Sequence, residues 1–324
     1  MTGTPAQRRT ARFAVVTLVF NLAVIVWGAF VRATGSGAGC GAHWPTCNGE
    51  VIPRADQVET LIEFTHRATS GVALLMVVAL LALSMRAFPA RHRARRAAGA
   101  TMVFMIGEAL VGAALVLLQL VGSNDSLARA VIMAVHLINT FLLLGAMSLT
   151  AWFARGGAPL RARGAGVAGV LIGLSLVAGL LVGATGGMTA LGDTLFPAAS
   201  LAEGIAQDRS PTAHFLVRLR VFHPLLAFVT AGLAVVAASV AGATRPTPQV
   251  RRAGRAVIGL FAVQLLAGGV NLLLLAPVWM QLLHLLLADL VWIALVLLAA
   301  SRLADPSAEP TAASLSGGAH STPA

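Results

Sequence analysis

Eight long apolar stretches constrain this 324-residue chain more than any other feature of its sequence. A helix of about 20 apolar residues crosses the roughly 30 Å hydrocarbon core of a bilayer. Hydrophobic residues make up 57% of the chain and charged residues only 11%, which excludes a soluble globular domain of this length. The sequence predicts an all-α integral membrane protein with eight transmembrane helices, over about 12–32, 61–86, 98–121, 129–153, 164–186, 213–241, 254–275 and 279–302.

The net charge of +11 comes from arginine, since the chain contains no lysine. Most arginines lie in every second connection, as the positive-inside rule requires, which argues against a nucleic-acid surface. The N-terminus (1–11), the linker 154–163 and the tail 303–324 are therefore predicted to be cytoplasmic, in a multi-pass protein of the cell membrane. The tail is rich in Ser, Ala, Pro and Gly, which is typical of disorder. The first stretch lacks a small-residue cleavage site and is predicted to be a retained helix.

Histidine is costly to bury in a bilayer and normally has a function there. Four histidines lie inside apolar stretches, at a predicted depth of roughly 10–15 Å below the outer surface. They are His66, His136, His223 and His284. Each half of the chain supplies two of them, from two different helices. Two histidines at comparable depth could bind the iron of a planar ligand, one imidazole on each face. The alternative for any one of these histidines is an interior side chain that forms only hydrogen bonds.

The two halves also resemble each other in sequence. The motif that begins at Gly28 recurs in shortened form at Gly183-Ala184-Thr185-Gly186, and Glu108 aligns with Gln264. The offsets lie between about 148 and 157 residues. Because each half has an even number of helices, we expect two parallel four-helix bundles, 12–153 and 164–302, related by an axis along the membrane normal.

Glu63 makes the two halves chemically unequal. It stands three residues before His66, on the same helix face, and is a candidate to accept a proton or to stabilise positive charge. An interfacial acid that faces water is the alternative. The equivalent place in the second half is occupied by Arg220, so that half is predicted to hold a plain bis-histidine site.

Several other charged residues depart from the overall pattern. Arginines near the outer helix ends would be explained by outward-pointing propionates, or by snorkelling. These arginines are Arg32, Arg67, Arg218 and Arg220. Glu108 and Asp289 lie near mid-membrane. Glu108 is predicted to form a hydrogen bond between helices rather than to relay protons. Asp289 lies about 140° around the helix from His284 and is assigned no catalytic function.

Both cysteines of the chain, Cys40 and Cys47, lie in the predicted outer loop 33–60. An outer compartment is oxidising enough to keep a disulfide. Such a bond would close a small ring and staple the loop. A redox-active pair that accepts or delivers electrons is the alternative.

Taken together and in order, these motifs resemble the bacterial heme A synthase family over about 12–302. They are Gly28–Gly37, Cys40-Gly41-Ala42-His43-Trp44-Pro45-Thr46-Cys47, Glu63-Phe64-Thr65-His66-Arg67, His136-Leu137-Ile138-Asn139, His223-Pro224 and His284–Asp289. In this chain Ala42-His43 replaces an acidic residue and proline, and Glu108 stands where glutamine is expected. The second outer loop also lacks the cysteines that some members of the family carry.

The resemblance implies an oxidoreductase that converts heme O to heme A, for aa3-type oxidases, by successive hydroxylations of the C8 methyl group. It implies that His66 and His136 are the axial ligands of the substrate heme iron, with Glu63 as the essential acid. His223 and His284 would be the axial ligands of a heme b cofactor, and Cys40 and Cys47 would form a disulfide. Heme O synthase and cytochrome oxidase assembly are the implied partners. A di-heme b electron carrier that oxidises quinol is the alternative, followed by a heme transporter.

Overall fold

The computed structural model describes residues 3–54, 57–162 and 164–305. Within these ranges the regular elements are ten α-helices and a short 3-10 helix, Ser36–Ala38. The α-helices are α1 (Pro5–Ala33), α2 (Val58–Ala87), α3 (Arg93–Leu117), α4 (Leu127–Ala154), α5 (Gly166–Leu195), α6 (Leu201–Arg209), α7 (Phe215–Leu219), α8 (Phe222–Thr244), α9 (Pro248–Leu273) and α10 (Val278–Leu303). Most of the tail predicted to be disordered, 306–324, lies outside the described residues.

Eight helical segments among the described residues are long and apolar enough to cross a membrane, and α7 and α8 together form one of them. The predicted fold class is thus confirmed, although the predicted bounds of several spans differ from those of the helices. The helices of the first and seventh spans begin earlier, at Pro5 instead of 12 and at Pro248 instead of 254. The third span is Arg93–Leu117 instead of 98–121, because the chain leaves the helix before Gln119, whose φ is 53°. The fifth continues to Leu195 instead of ending at 186, since packing against other helices outweighs the low helix propensity of its glycines.

The sixth span is interrupted at Arg220 and Val221, immediately before the segment that carries His223. Pro224 has no N–H to donate to the carbonyl of Arg220, and its ring crowds that carbonyl. The helix therefore breaks there and restarts at Phe222. As a result, α7 lies on the loop side of His223 and α8 on the other.

The helices of each half pack in the same cyclic order. In the first half α1 contacts α2, α2 contacts α3, α3 contacts α4, and α4 contacts α1. In the second half the neighbours are α5 and α8, α8 and α9, α9 and α10, and α10 and α5. The relation of the two halves by an axis along the membrane normal stays a prediction.

The arginine-rich connections meet at one end of the molecule, which we call the arginine end. Arg161 N donates to the Leu303 carbonyl at 2.8 Å, and Arg245 Nη1 donates to the Arg302 carbonyl at 2.8 Å. The connection between α4 and α5, the end of α8 and the end of α10 are thus brought together. The opposite end carries the Cys40–Cys47 loop, and we call it the loop end.

A cluster of large side chains joins the halves at mid-depth. Phe141 of α4 stacks on Trp292 of α10 with ring centroids 5.2 Å apart, and Trp292 Nε1 donates to the Phe141 carbonyl. Gly183 of α5 lies against the same phenylalanine, where an added Cβ would come within 2.7 Å of the ring. The close approach of α5 to α4 therefore requires glycine at this position.

Arg32 of α1 joins the halves at the loop end. Its Nη1 donates to the Ala190 carbonyl at 2.8 Å and to Thr194 Oγ1 at 2.7 Å, both in α5. Its Nη2 donates to Gln281 Oε1 of α10 at 2.8 Å. Hydrogen bonds from a charged donor are stronger than neutral ones, so this guanidinium fastens α1 to two helices of the other half.

We expect Arg32→Ala to lower the apparent Tm of the purified protein in detergent. Hydrogen bonds to charged groups each contribute about 1.5–3 kcal/mol, so a loss on the order of 3 kcal/mol is expected. Arg12→Ala, which removes an exposed arginine from the same helix, is the control and should leave the Tm unchanged. An equal Tm for both variants would show that the Arg32 contacts do not hold the halves together.

Candidate functional site

His223 and His284 face each other in the second half. Their ring centroids are 6.4 Å apart and the ring planes are inclined by 81°. With metal–nitrogen bonds of about 2 Å and ring centres about 1.1 Å beyond each nitrogen, two axial imidazoles would have centroids roughly 6.2 Å apart. The observed separation therefore fits a six-coordinate iron between the two rings.

His66 and His136 form the corresponding pair in the first half. They come from α2 and α4, the counterparts of α8 and α10 in the cyclic order of helices, and both are half-buried. The buried Nδ1 atoms of His66, His136 and His284 have no hydrogen-bond partner within the described part of the chain. A buried ring nitrogen in a low-dielectric interior needs a partner. A metal could be that partner for His66 and His284, whereas His136 Nδ1 lies 3.5 Å from a carboxylate oxygen of Glu108.

Glycines allow other helices to approach three of these rings. An added Cβ on Gly28 would lie 2.8 Å from His66 Cε1, and one on Gly186 would lie 2.9 Å from His223 Cε1. A Cβ on Gly268 would lie 3.1 Å from His284 Cε1. In the sequence these glycines were recognisable only as repeated motifs, because their contact with histidine depends on helix packing.

The glycine contacts also correct the alignment of the two halves. Sequence similarity paired the motif at Gly28 with the one that begins at Gly183. In the structure Gly28 contacts His66 and Gly186 contacts His223, whereas Gly183 contacts Phe141. The spatial counterpart of Gly28 is Gly186, because only that residue lies against the equivalent histidine.

Glu63 is buried, with 3% of its surface exposed, so the alternative of an acid facing water is wrong. Its Oε2 accepts a hydrogen bond from Cys40 N at 2.8 Å. Its Oε1 accepts from Arg67 Nε at 3.1 Å and from Arg67 Nη2 at 2.5 Å. The carboxylate is therefore fixed between its own helix and the cysteine loop, one turn from His66.

The cysteine loop is held over Glu63 by several bonds. Cys40 and Cys47 form a disulfide, as predicted. Arg67 Nη1 donates to the carbonyls of His43 and Thr46 at 2.6 Å each, and Thr60 Oγ1 donates to the Gly39 carbonyl at 2.7 Å. Loop and α2 thus form one unit, in which the position of Glu63 depends on the fold of the disulfide-closed loop.

Arg220, the counterpart of Glu63 in the second half, is tied to the end of α5. Its Nη2 donates to the carbonyls of Gly192 at 2.8 Å and Phe196 at 2.7 Å, and its Nε lies 3.0 Å from Asp193 Oδ1. Asp208 Oδ1 lies 4.0 Å from Arg220 Nη1. Burial raises the pKa of the Asp208 carboxyl, and Arg220 lowers it in part.

Three of the four arginines predicted to contact propionates are engaged with the protein. Arg32 binds the other half, Arg67 binds Glu63 and the cysteine loop, and Arg220 binds α5. Arg218 is exposed and makes no side-chain contact with the described residues. Contact of any of these arginines with propionates stays a prediction.

Glu108 and Gln264 occupy equivalent places beside a histidine of each half. Glu108 Oε2 lies 3.5 Å from His136 Nδ1, and Glu108 accepts from Asn139 Nδ2 at 2.5 Å and from Thr140 Oγ1. The prediction of an interhelical hydrogen bond is confirmed. Gln264 Nε2 lies 3.2 Å from His284 Nε2 and donates to the His284 carbonyl at 3.1 Å.

Asp289 is fully buried in α10, and neither of its carboxyl oxygens has a hydrogen-bond partner among the residues that the structure describes. Nor do those residues contain a group of three or more His, Cys, Asp or Glu side chains that could hold a metal ion. The paired histidines are therefore the candidate metal ligands. The described part of the chain thus defines a membrane protein of eight apolar spans, with two histidines in each half as candidate metal ligands.

Comparison with known proteins agrees with this class. A family model described as cytochrome oxidase assembly protein (COX15-CtaA) matches residues 11–296. The chain belongs to this family.

Individual relatives cover different parts of the chain. A Thermus thermophilus protein named protoheme IX farnesyltransferase is 56% identical over 301 residues, which are 93% of this chain and 49% of that protein. Proteins named heme A synthase from Bacillus mycoides and Bacillus cereus are 43% identical over 110 residues, which are 34% of this chain and 35% of theirs. The chain thus spans about half the length of the Thermus relatives that it matches.

The glycine contacts predict which substitutions disturb each histidine pair. Gly28→Ala should displace His66, and Gly186→Ala should displace His223, because the new methyl group would overlap the ring. Gly71→Ala in α2 and Gly232→Ala in α8 are matched controls, since an added Cβ at either position meets nothing within 4 Å. Heme absorbance per purified protein should fall in the first two variants and stay constant in the controls. Full heme content in Gly28→Ala and Gly186→Ala would contradict the assignment.

Proposed function

We propose that this chain is a heme A synthase, which oxidises heme O to heme A for aa3-type cytochrome oxidases. Membership of the cytochrome oxidase assembly family supports the proposal, as does the similarity to the Bacillus proteins named heme A synthase. The observation that carries it is the inequality of the two histidine pairs. Among the described residues, the first pair alone has a buried carboxylate, Glu63, that is fixed one helical turn away by Cys40 and Arg67.

In this proposal His66 and His136 hold the substrate heme. Its C8 methyl group is converted to a formyl group by successive hydroxylations, an oxidation that requires an external oxidant and a source of the oxygen atom. Glu63 accepts a proton or stabilises developing positive charge at this site. Because Arg67 and Cys40 N hold both of its oxygens, the carboxylate needs little reorganisation during the reaction.

The second pair, His223 and His284, holds heme b in this proposal. Heme b supplies one-electron transfer when bound, between an electron donor and the substrate site. Arg220 stands where the first half has Glu63, so this pair lacks the fixed carboxylate and is suited to electron transfer rather than to chemistry on its heme. The 6.4 Å separation of the rings supports the assignment.

The Thermus relatives are named for a different activity, the farnesylation of protoheme IX, and about half of their length lies outside the match. We propose that farnesylation belongs to that remaining part, and that this chain acts on the farnesylated product, heme O. Heme O synthase is accordingly the proposed partner that supplies the substrate.

We further propose a location in the plasma membrane with both termini in the cytoplasm. The arginine-rich connections lie at one end of the molecule, where Arg161 and Arg245 contact the end of α10. Arginine is enriched in short cytoplasmic loops. The disulfide lies at the opposite end, which agrees with an oxidising outer compartment.

Removal of the carboxylate should separate catalysis from cofactor binding. We expect Glu63→Gln and Glu63→Ala to retain the heme b spectrum but to form no heme A, because the acid is lost while His223 and His284 are intact. Pigments extracted from expressing cells are separated by chromatography and identified by mass. Glu59→Gln, an exposed acid of the same helix, serves as the control and should form normal heme A. Normal heme A in the Glu63 variants would refute the catalytic assignment.

Loss of either ligand in the second half should remove the electron-transfer heme. His223→Ala and His284→Ala are each expected to abolish the low-spin heme b spectrum, measured as the reduced-minus-oxidised difference in purified protein. His92→Ala is the control, since His92 caps α3 at the arginine end by accepting from Ala94 N at 3.1 Å. A persistent heme b spectrum in the first two variants would place that heme in the first half.

The pigments of the wild-type protein distinguish the proposed enzyme from its alternatives. Heme b together with heme O, heme A or a hydroxylated intermediate is expected. Heme b alone would identify a di-heme electron carrier, and the absence of any heme would favour a transporter.

A further inference from the structure

We propose that Glu108 is a positioning residue for the proposed reaction, which holds His136 as an axial ligand of the substrate heme and makes it more electron-donating than its counterpart His284. The inference rests on the proposed function, because it concerns the heme that the first half would bind. It assigns a purpose to a buried carboxylate at a place where the second half has an amide, Gln264.

The contacts of Glu108 orient its carboxylate toward His136. Asn139 Nδ2 donates to Oε2 at 2.5 Å, Thr140 Oγ1 donates to Oε1, and Asn139 Nδ2 also donates to the Phe104 carbonyl at 2.9 Å. Oε2 then lies 3.5 Å from His136 Nδ1, at the outer limit of a hydrogen bond. This Nδ1 is buried and has no other partner in the described residues, so Glu108 is the group placed to receive its proton.

A carboxylate can only accept from Nδ1–H, which leaves the lone pair of Nε2 for iron. Histidine ligands in metalloproteins commonly donate their second N–H to a carboxylate, which fixes the ring orientation and raises the basicity of the ligand. A more basic imidazole stabilises ferric iron relative to ferrous iron. The first-half heme should therefore have a lower midpoint potential than it would beside a neutral amide.

The second half provides the comparison within the same chain. Gln264 occupies the place beside His284 that Glu108 has beside His136, but its neutral amide Nε2 lies 3.2 Å from His284 Nε2 instead of Nδ1, and it donates to the His284 carbonyl at 3.1 Å. His284 Nδ1 has no hydrogen-bond partner among the described residues. An uncharged partner raises ligand basicity less than a carboxylate does. The two hemes would then differ in potential because a carboxylate faces one histidine ligand and an amide faces the other.

A purely structural function of Glu108 would account for its bonds to Asn139 and Thr140, which join α3 to α4. It would not require a carboxylate beside the unpaired Nδ1 of His136. The two explanations differ in what they predict for the potential of the first-half heme, which a bond between helices has no reason to alter.

The test uses the full-length protein in detergent, loaded with heme b and supplied with heme O, and redox titrations followed by absorbance. Glu108→Gln should shift the midpoint potential of the bound heme O to a more positive value and leave that of heme b unchanged. Heme O should also bind about 10- to 100-fold more weakly, which is the usual effect of removing the carboxylate that accepts a hydrogen bond from a histidine ligand. Glu108→Asp, which retains the carboxylate, should restore part of the shift.

Two further variants serve as reciprocal and structural controls. Gln264→Glu should lower the potential of heme b and leave that of heme O unchanged. Thr140→Val removes one bond to Glu108 but keeps the carboxylate beside His136, so it should lower the Tm without the potential shift of Glu108→Gln. An intact heme b spectrum in each variant shows that the protein is folded.

If Glu108→Gln binds heme O with wild-type affinity and wild-type potential, the inference is wrong while the proposed function stands. If the wild-type protein itself binds no heme O, the proposed function fails and this inference fails with it. The two failures are distinguishable, because one appears only in the variant and the other already in the wild-type protein.

Discussion

The hydrocarbon core of a membrane offers no water to a polar side chain, so each polar group must find its partner inside the protein. In this molecule that constraint turns buried polar residues into the connections between elements. Arg32 joins the two halves, Glu63 joins α2 to the cysteine loop, and Glu108 joins α3 to α4. Where the protein leaves ring nitrogens without a partner among the described residues, as in His66 and His284, iron is the partner that the proposed function supplies.

The two histidine pairs share a common plan and differ in the residues around it. In both halves a glycine on a neighbouring helix lies against the first histidine, and a polar side chain lies beside the second. The first half has carboxylates at the two variable places, Glu63 and Glu108, whereas the second half has Arg220 and Gln264. Equivalent backbone positions thus hold rings in similar surroundings, while charge sets the two sites apart. This difference supports the proposal that one site changes its heme and the other passes electrons.

Much of this arrangement could be predicted from the sequence. The eight spans and the disulfide follow from hydropathy and family motifs, and the facing of His223 and His284 follows from the repeat. Other features could not. The helix α5 continues to Leu195 because its packing against other helices outweighs the low helix propensity of its glycines. The equivalence of Gly28 and Gly186 is visible only in their contacts with His66 and His223. Nor could the contacts of Arg32 with α5 and α10 be predicted, because the sequence does not indicate which helices lie within reach of its guanidinium.

By itself, the sequence determined that this chain fills a bilayer with eight helices, because about 20 apolar residues can be stable in hydrocarbon only as a helix that satisfies its own backbone. It also determined which side chains are too costly to bury without a partner. Only the tertiary structure decided what those partners are. Hydrogen bonds and ring contacts act over a few ångströms, so the fixing of Glu63 by the cysteine loop and the placing of Glu108 beside His136 depend on how the helices pack.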